Sequence, residues 1–247
     1  MSSTTYADLP RLDGVRLPRR WMLHGLRPLA RVVVQRRFAV RVHGQEQVPA
    51  HGPVIFAANH VGVADGPVLA IFSPRPVHAL TKVEMFKGAL GVVLHGSGQI
   101  PIDRFGSDPR AVKTCLRVLR AGRAVGIFPE GRRGGGELDR FHRGAAYLAL
   151  ASGAPVVPVS FIGTREPGGH TDSLPARGGT VDMVFGTPYA FERQPWPRRR
   201  EQVEQASALL LEHMLAGLAD ALALTGRTLP GPLPAGEVEP DPATGVT

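Results

Sequence analysis

Residues 53–71 read Pro53-Val54-Ile55-Phe56-Ala57-Ala58-Asn59-His60-Val61-Gly62-Val63-Ala64-Asp65-Gly66-Pro67-Val68-Leu69-Ala70-Ile71. The opening apolar run has strand length, and from Asp65 onward an apolar helix begins with an acid and a proline in its first turn. Strand, turn and helix in that order start the unit from which parallel sheets are built. His60 and Asp65 straddle the turn, five residues apart. On a regular helix that offset leaves two side chains about 140° apart, and on a strand it puts them on opposite faces. They meet only if the backbone turns between them, and Gly62 stands where it can turn.

A histidine oriented by a carboxylate suits general base catalysis. Imidazole titrates near ~6.5, and an acid on its other nitrogen fixes the tautomer and stabilises the imidazolium. A substrate that supplies its own hydroxyl needs no nucleophilic serine. The same spacing also describes a structural histidine hydrogen-bonded to a neighbouring acid, and the pair alone does not choose between the two.

Outward from this stretch the strand and helix patterns alternate. Val40–Gly44 reads as a first strand, Val77–Thr81, Ala124–Phe128 and Val156–Phe161 as further ones. Ser107-Asp108-Pro109 caps a helix with core positions Val112, Cys115, Leu116 and Leu119 and a stop at Gly122. Tyr147–Leu150 lies on another helix, and Arg200–Leu224 is a long one with Val203, Ala206, Leu210, Met214, Leu218 and Leu222 on one stripe. The pattern predicts a single α/β domain over residues 40–228, with a central, largely parallel sheet flanked by helices. Residues 1–16 are expected to be a flexible N-terminus. The Pro, Gly and acid content of 229–247, without aromatics, predicts a disordered tail.

The 247 residues carry a net charge of +8 that is concentrated at one end: residues 1–43 hold nine arginines against two aspartates. Over 17–39 Trp21, Met22, Leu23, Leu26, Leu29, Val32, Val33 and Phe38 alternate with Arg19, Arg20, Arg27, Arg31, Arg36 and Arg37, and Pro28 splits the run. A basic amphipathic helical arm of this kind either lies in an anionic membrane interface or covers the core with a solvated face. Nucleic acid is not expected as a partner, since the arm has no recognised reading motif. Contiguous apolar runs fall short of the ~18 to 20 residues of a spanning helix, and the polar start is no secretory signal. Cys115, the sole cysteine, excludes an intrachain disulfide and fits a core position.

Three more segments follow the His60 turn: Gly98-Gln99-Ile100-Pro101-Ile102-Asp103-Arg104, Phe128-Pro129-Glu130-Gly131-Arg132-Arg133 and Val157-Pro158-Val159. Arginines at the carboxyl ends of parallel strands suit a phosphate, whose oxygens match the guanidinium fork. Taken singly, Asp103-Arg104 also reads as a surface ion pair and Pro129-Glu130-Gly131 as a tight turn. In this order the four segments resemble the glycerolipid acyltransferase family, whose Asn-His, four residues, Asp pattern is met by Asn59, His60 and Asp65. Thr81–Lys87 is similar to a lysine-containing segment of that family and Asp139–Gly144 to its basic Phe-Lys-x-Gly stretch; the likeness covers roughly residues 17–225. The chain departs from the pattern at Gly62 (usually Ser), Arg132 (usually Thr or Ser) and His142 (usually Lys).

The resemblance implies an O-acyltransferase that moves a fatty acyl group from acyl-CoA or acyl carrier protein to the open hydroxyl of 1-acylglycerol 3-phosphate, giving phosphatidic acid, without cofactor or metal. His60 and Asp65 would be catalytic. Lys82, Arg104 and Arg133 would hold the phosphate and Glu130 and Gly131 the glycerol. Asn59, Gly98, Phe128 and Pro129 would support them, and backbone N–H groups of the turn would stabilise the oxyanion. The arm would bind anionic lipids, placing the enzyme at the cytoplasmic face of the plasma membrane as a peripheral or monotopic protein. A hydrolase with the same pair would need a nucleophile elbow, and Gly96-Ser97-Gly98, flanked by His95 and Gln99, does not satisfy Gly-x-Ser-x-Gly. A non-catalytic lipid- or nucleic-acid-binding protein would use the arm alone.

Overall fold

The computed structural model describes residues 10–237. Seven strands, β1 (Ala39–His43), β2 (Val54–Ala58), β3 (Val77–Lys82), β4 (Ile100–Ile102), β5 (Ala124–Ile127), β6 (Val156–Ile162) and β7 (Thr180–Phe185), form one sheet in the order β1-β7-β6-β2-β5-β3-β4. From β6 to β4 every neighbouring pair is parallel, β6 and β7 are antiparallel, and β1 is parallel to β7. The sheet is thus largely parallel with a reversed edge pair.

Strand β2 lies at the centre and shows why its sequence is apolar throughout. Ile55 and Ala57 enter one core; Val54, Phe56 and Ala58 enter the other. The first core lies under α5 (Pro109–Arg120), α6 (Gly144–Ser152) and α7 (Arg200–Thr225). The second is closed by α3 (Asp65–Phe72) and by Phe38 and Val48. A strand covered on both faces has no solvent side to mark with polar residues. Helix α5 begins as its sequence predicts: Asp108 accepts from Arg110 N and Ala111 N, both at 3.0 Å, with Pro109 in the first turn.

The arm is split in two, α1 (Trp21–Gly25) and α2 (Arg27–Gln35), with Pro28 in the first turn of α2, where its missing N–H is not needed. Leu23 is the only buried residue of α1, and α2 buries none. Arg27 and Arg31 donate to Ile71 O at the end of α3. Arg27 and Arg31 thus tie α2 to α3, and Val34 packs against the second core, while Leu29, Val32 and Val33 point outward, so α2 covers the core in part and leaves an apolar face exposed.

Two expectations change. Residues 229–237 are packed rather than loose: Gly231 O accepts from Arg165 Nη2 at 2.6 Å, and Glu237 accepts from Thr171 N and Oγ1 at 3.0 and 2.8 Å. Composition alone cannot register that backbone carbonyls are bound by a buried guanidinium. Residues 1–9 and 238–247 of the predicted flexible ends lie outside the described residues. Second, α7 has the length and composition to cross a membrane, with an 18-residue window of mean hydropathy 1.5. Its acids interrupt every contiguous apolar run, which hid it from a search for unbroken stretches. In the fold one stripe, Ala206, Leu210, Met214, Leu218 and Ala221, is buried.

Candidate active site

The turn after β2 folds around one carboxylate. Asp65, 0% exposed at the first position of α3, accepts at Oδ2 from Val61 N (2.7 Å), Gly62 N (2.9 Å) and the His60 ring at Nδ1 (2.8 Å). With Nδ1–H donating to Asp65, the lone pair of the neutral ring is on Nε2, on the side of a cavity that His60 lines. Phe128, from the end of β5, stacks on the imidazole with centroids 4.3 Å apart. Burial lowers the His60 pKa below its ordinary value; the hydrogen bond and charge of Asp65 oppose this, while Arg133 and Lys82 lower it further. The ring is neutral at neutral pH and able to accept a proton.

Ala64 is the N-cap of α3, and Gly62 lies two residues before it in the turn. A Cβ at position 62 would lie 2.9 Å from Thr164 O, so the glycine permits the turn to sit against the chain leaving β6. Asn59 binds that chain from the other side: Phe161 N donates to its Oδ1 at 2.7 Å and its Nδ2 donates to Phe161 O at 3.1 Å.

The cavity has a volume of about 430 Å³ and runs from His60 into the space beneath α5, α6 and α7. Lys82, Arg104, Pro129, Gly131 and His142 stand with His60 at its polar end, and Leu80, Ile102, Val112, Ile127, Tyr147, Leu148 and Val203 line its interior. Arg104 Nη1 donates to Gly131 O at 2.6 Å, tying the end of β4 to the turn after β5. The Lys82 pKa is lowered to about 8 by burial and then by Arg104 and Arg133. Mutual repulsion among cations is the mark of a place that an anion would relieve. Cys115 lines the same space, with burial pushing its thiol up to about 12.

Of the predicted residues, the fold gathers His60, Asp65, Lys82, Arg104, Phe128, Pro129 and Gly131 around this cavity. Gly98 is elsewhere: it precedes β4 with φ +69°, under the arm, where a Cβ would run into Arg19 O. Arg133 donates to Thr171 O (3.0 Å) and Asp172 Oδ1 (2.6 Å) on the loop after β6. Glu130 is buried behind His60 and accepts from its backbone N–H at 2.7 Å. That bond, with the two from Val61 and Gly62 to Asp65, commits the turn's own N–H groups, so they do not form an oxyanion hole.

Burial raises the Glu130 carboxyl to about 8, against the opposing pull of the His60 N–H. The folded state then holds a proton that the unfolded chain releases near ~4.3, so stability falls as pH rises from there toward about 8. Lys82 acts in the opposite sense, and only above about 8. Glu130→Gln keeps an acceptor for the His60 N–H and is expected to flatten the decline in melting temperature between pH 5 and 8. A variant that declines as steeply as the parent would show that Glu130 does not carry the proton.

Arg165 was not legible as part of the site. It is 1% exposed, on the loop after β6, and donates to Val61 O (3.2 Å), Gly134 O (3.1 Å), Gly169 O (3.0 Å) and Gly231 O (2.6 Å). Gly134 N in turn donates to His60 O at 2.9 Å. One guanidinium thus joins the His60 turn, the Glu130 loop and the C-terminal segment. Arg165→Ala leaves four carbonyls without these donors and is expected to cost about 3 to 5 kcal/mol of stability, read by denaturant titration; a loss under about 1 kcal/mol would mark the bonds as exchangeable with water.

The acyltransferase family model matches residues 39–162. The chain is 32% identical to a 1-acyl-sn-glycerol-3-phosphate acyltransferase of Bacillus subtilis, over 64% of this chain and 77% of the relative. It is 33% identical to one of Borreliella burgdorferi, over 51% and 52%. In fold it resembles the 1-acyl-sn-glycerophosphate acyltransferase PlsC of Thermotoga maritima, with a TM-score of 0.54 and 23% identity over 78% of this chain and 80% of that one. The family model spans half of the chain, and His60 and Asp65 lie within it; this chain belongs to the acyltransferase family.

Proposed function

We propose that the enzyme acylates the free hydroxyl of 1-acylglycerol 3-phosphate, with acyl-CoA or acyl carrier protein as donor, to give phosphatidic acid. The observation that carries this reading is the His60 ring, held at Nδ1 by a fully buried Asp65, at a cavity with cationic groups at its mouth and an apolar interior. The relatives' names support the same acceptor.

His60 Nε2 takes the proton of the lipid hydroxyl as its oxygen attacks the thioester carbonyl carbon. The tetrahedral intermediate collapses with cleavage of the C–S bond, and the imidazolium returns the proton to the departing thiolate. Asp65 stabilises the transient imidazolium. Lys82 and Arg104 face the phosphate, with Arg133 adding positive potential from behind. The acyl chain fits among Leu80, Ile102, Ile127 and Leu148. No acyl-enzyme is required: among the described residues lining the cavity the one thiol, Cys115, is held protonated, and no serine is present. The step draws on no metal or cofactor. The arm rests on the anionic cytoplasmic leaflet, where acceptor and product reside.

An acceptor panel with one acyl-CoA tests the reading, following free thiol and identifying the lipid by mass. Phosphatidic acid from lysophosphatidic acid is the expected product. Fatty acid released without any acceptor would overturn it in favour of a hydrolase.

A further inference from the structure

Helix α4 (Gly88–Gly96), between β3 and β4, is packed inside out. Its sequence, Gly-Ala-Leu-Gly-Val-Val-Leu-His-Gly, is apolar, yet its only buried residues are Gly91 and Gly96. Val92 is 70% exposed, and Leu90 and Val93 are 47% exposed each. A helix that turns its glycines to the protein and its valines and leucine to solvent forgoes the burial that normally holds an apolar helix in place. The glycine edge is a close fit. A Cβ at Gly91 would lie 2.6 Å from Phe86 O, and one at Gly96 would run into the Met22 side chain of α1.

The position of the helix gives its outward face a meaning. Strands β3 and β4 are parallel neighbours, so α4 must run back from their carboxyl ends to their amino ends. It starts six residues after Lys82, which lines the cavity, and ends against Trp21 and Met22 of the arm. Trp21, Leu26, Leu29 and Val33 are exposed on the arm, and Val83 and Phe105, each next to a cation of the mouth, are exposed as well. Neither 21–35 nor 86–98 contains an acidic residue, while Arg27, Arg31 and Lys87 supply positive charge.

We propose that α4 is a second lipid-contacting element, locked to α1 through Gly96, and that the two with the rim residues Val83 and Phe105 form one docking face for an anionic phospholipid bilayer. The inference rests on the reading of the substrate as a membrane lipid and extends it: the face brings the mouth of the cavity down to the leaflet, so that the acceptor moves from bilayer to His60 without crossing bulk water. On α1, α2 and α4 exposed apolar side chains stand among cations without acids, which is complementary to such a surface, while the exposed Glu84 and Asp103 beside Val83 and Phe105 confine the acids to the rim. A soluble protein partner would be expected to meet some acidic groups as well.

Co-sedimentation with vesicles of equimolar phosphatidylglycerol and phosphatidylcholine is the test. The double variant Val92→Glu/Val93→Glu is expected to lose about tenfold or more in vesicle partitioning, while its acyl transfer to lysophosphatidic acid in detergent micelles equals that of the parent. Val92→Trp, which adds an interfacial aromatic, is expected to bind more tightly. Failure of the substrate reading would show separately, as a parent enzyme inactive on micellar lysophosphatidic acid. The docking face is overturned if both α4 variants sediment with vesicles as the parent does while deletion of residues 1–38 releases the protein. It is equally overturned if the glutamates leave vesicle binding unchanged but halve the solution mass, which would make α4 a contact between copies.

Discussion

Replacing His60 with alanine is expected to lower acyl transfer by at least about 10³-fold, with vesicle binding unchanged. In the proposed mechanism the imidazole both receives the hydroxyl proton and passes it to the leaving thiolate, so its loss removes the acid and the base together. Phe128 loses its stacking partner and Asp65 one of its three donors, but Val61 N and Gly62 N still hold the carboxylate. The turn should therefore persist, and the loss should fall on kcat rather than KM. A variant that retains more than a tenth of parental thiol release would mean that His60 is not the base.

Asp65→Asn is expected to reduce kcat by about 10³-fold or more and to move the pH profile as well. Two of the influences on His60, the hydrogen bond and the charge of Asp65, raise its pKa against burial, Arg133 and Lys82. An amide removes the charge, so the His60 pKa falls further below its ordinary value. The acid limb of kcat/KM, where His60 must lose its proton to act, should then shift to lower pH while the plateau collapses. Damage to the fold alone would lower the plateau and leave the limb in place. The cost in stability should be about 1 to 3 kcal/mol. Asp65 Oδ1 is buried without a hydrogen-bond partner, and an NH₂ in its place would be equally unsatisfied.

Much of this was legible because strand, turn and helix share one short stretch. The run 53–58 followed by a helix from Asp65 fixed the strand-to-helix geometry that brings His60 and Asp65 together, and Asp108-Pro109 placed α5 to within a residue or two. Strand β7 escaped because Asp182 stands in its middle. The structure satisfies that carboxylate with His43 Nε2 at 2.9 Å and Arg227 Nη1 at 3.1 Å, partners more than forty residues away in either direction. Helix α4 escaped for the opposite reason: it has no polar face to set off an apolar stripe, because Gly91 and Gly96 form its packed edge. Arg165 and Glu130 show the limit for the site. Nothing local distinguishes a guanidinium that will be enclosed by four carbonyls from one in solvent, or a carboxylate behind a catalytic ring from one facing a ligand. Gly98, expected from its family segment to support the ligand-binding residues, sits apart from the cavity, where its positive φ and its closeness to Arg19 make it a seat for the arm.

Cys115 has a practical corollary for anyone who assays the enzyme. A chain with a single thiol that is 1% exposed and held protonated to about 12 reacts slowly with chromogenic disulfides. With an acyl thioester as donor, the liberated thiol can then be counted continuously against an almost silent protein background. The same sulfur, lining the cavity, becomes a clock: its labelling rate reports opening of the lipid chamber, and a bound acyl chain should slow it.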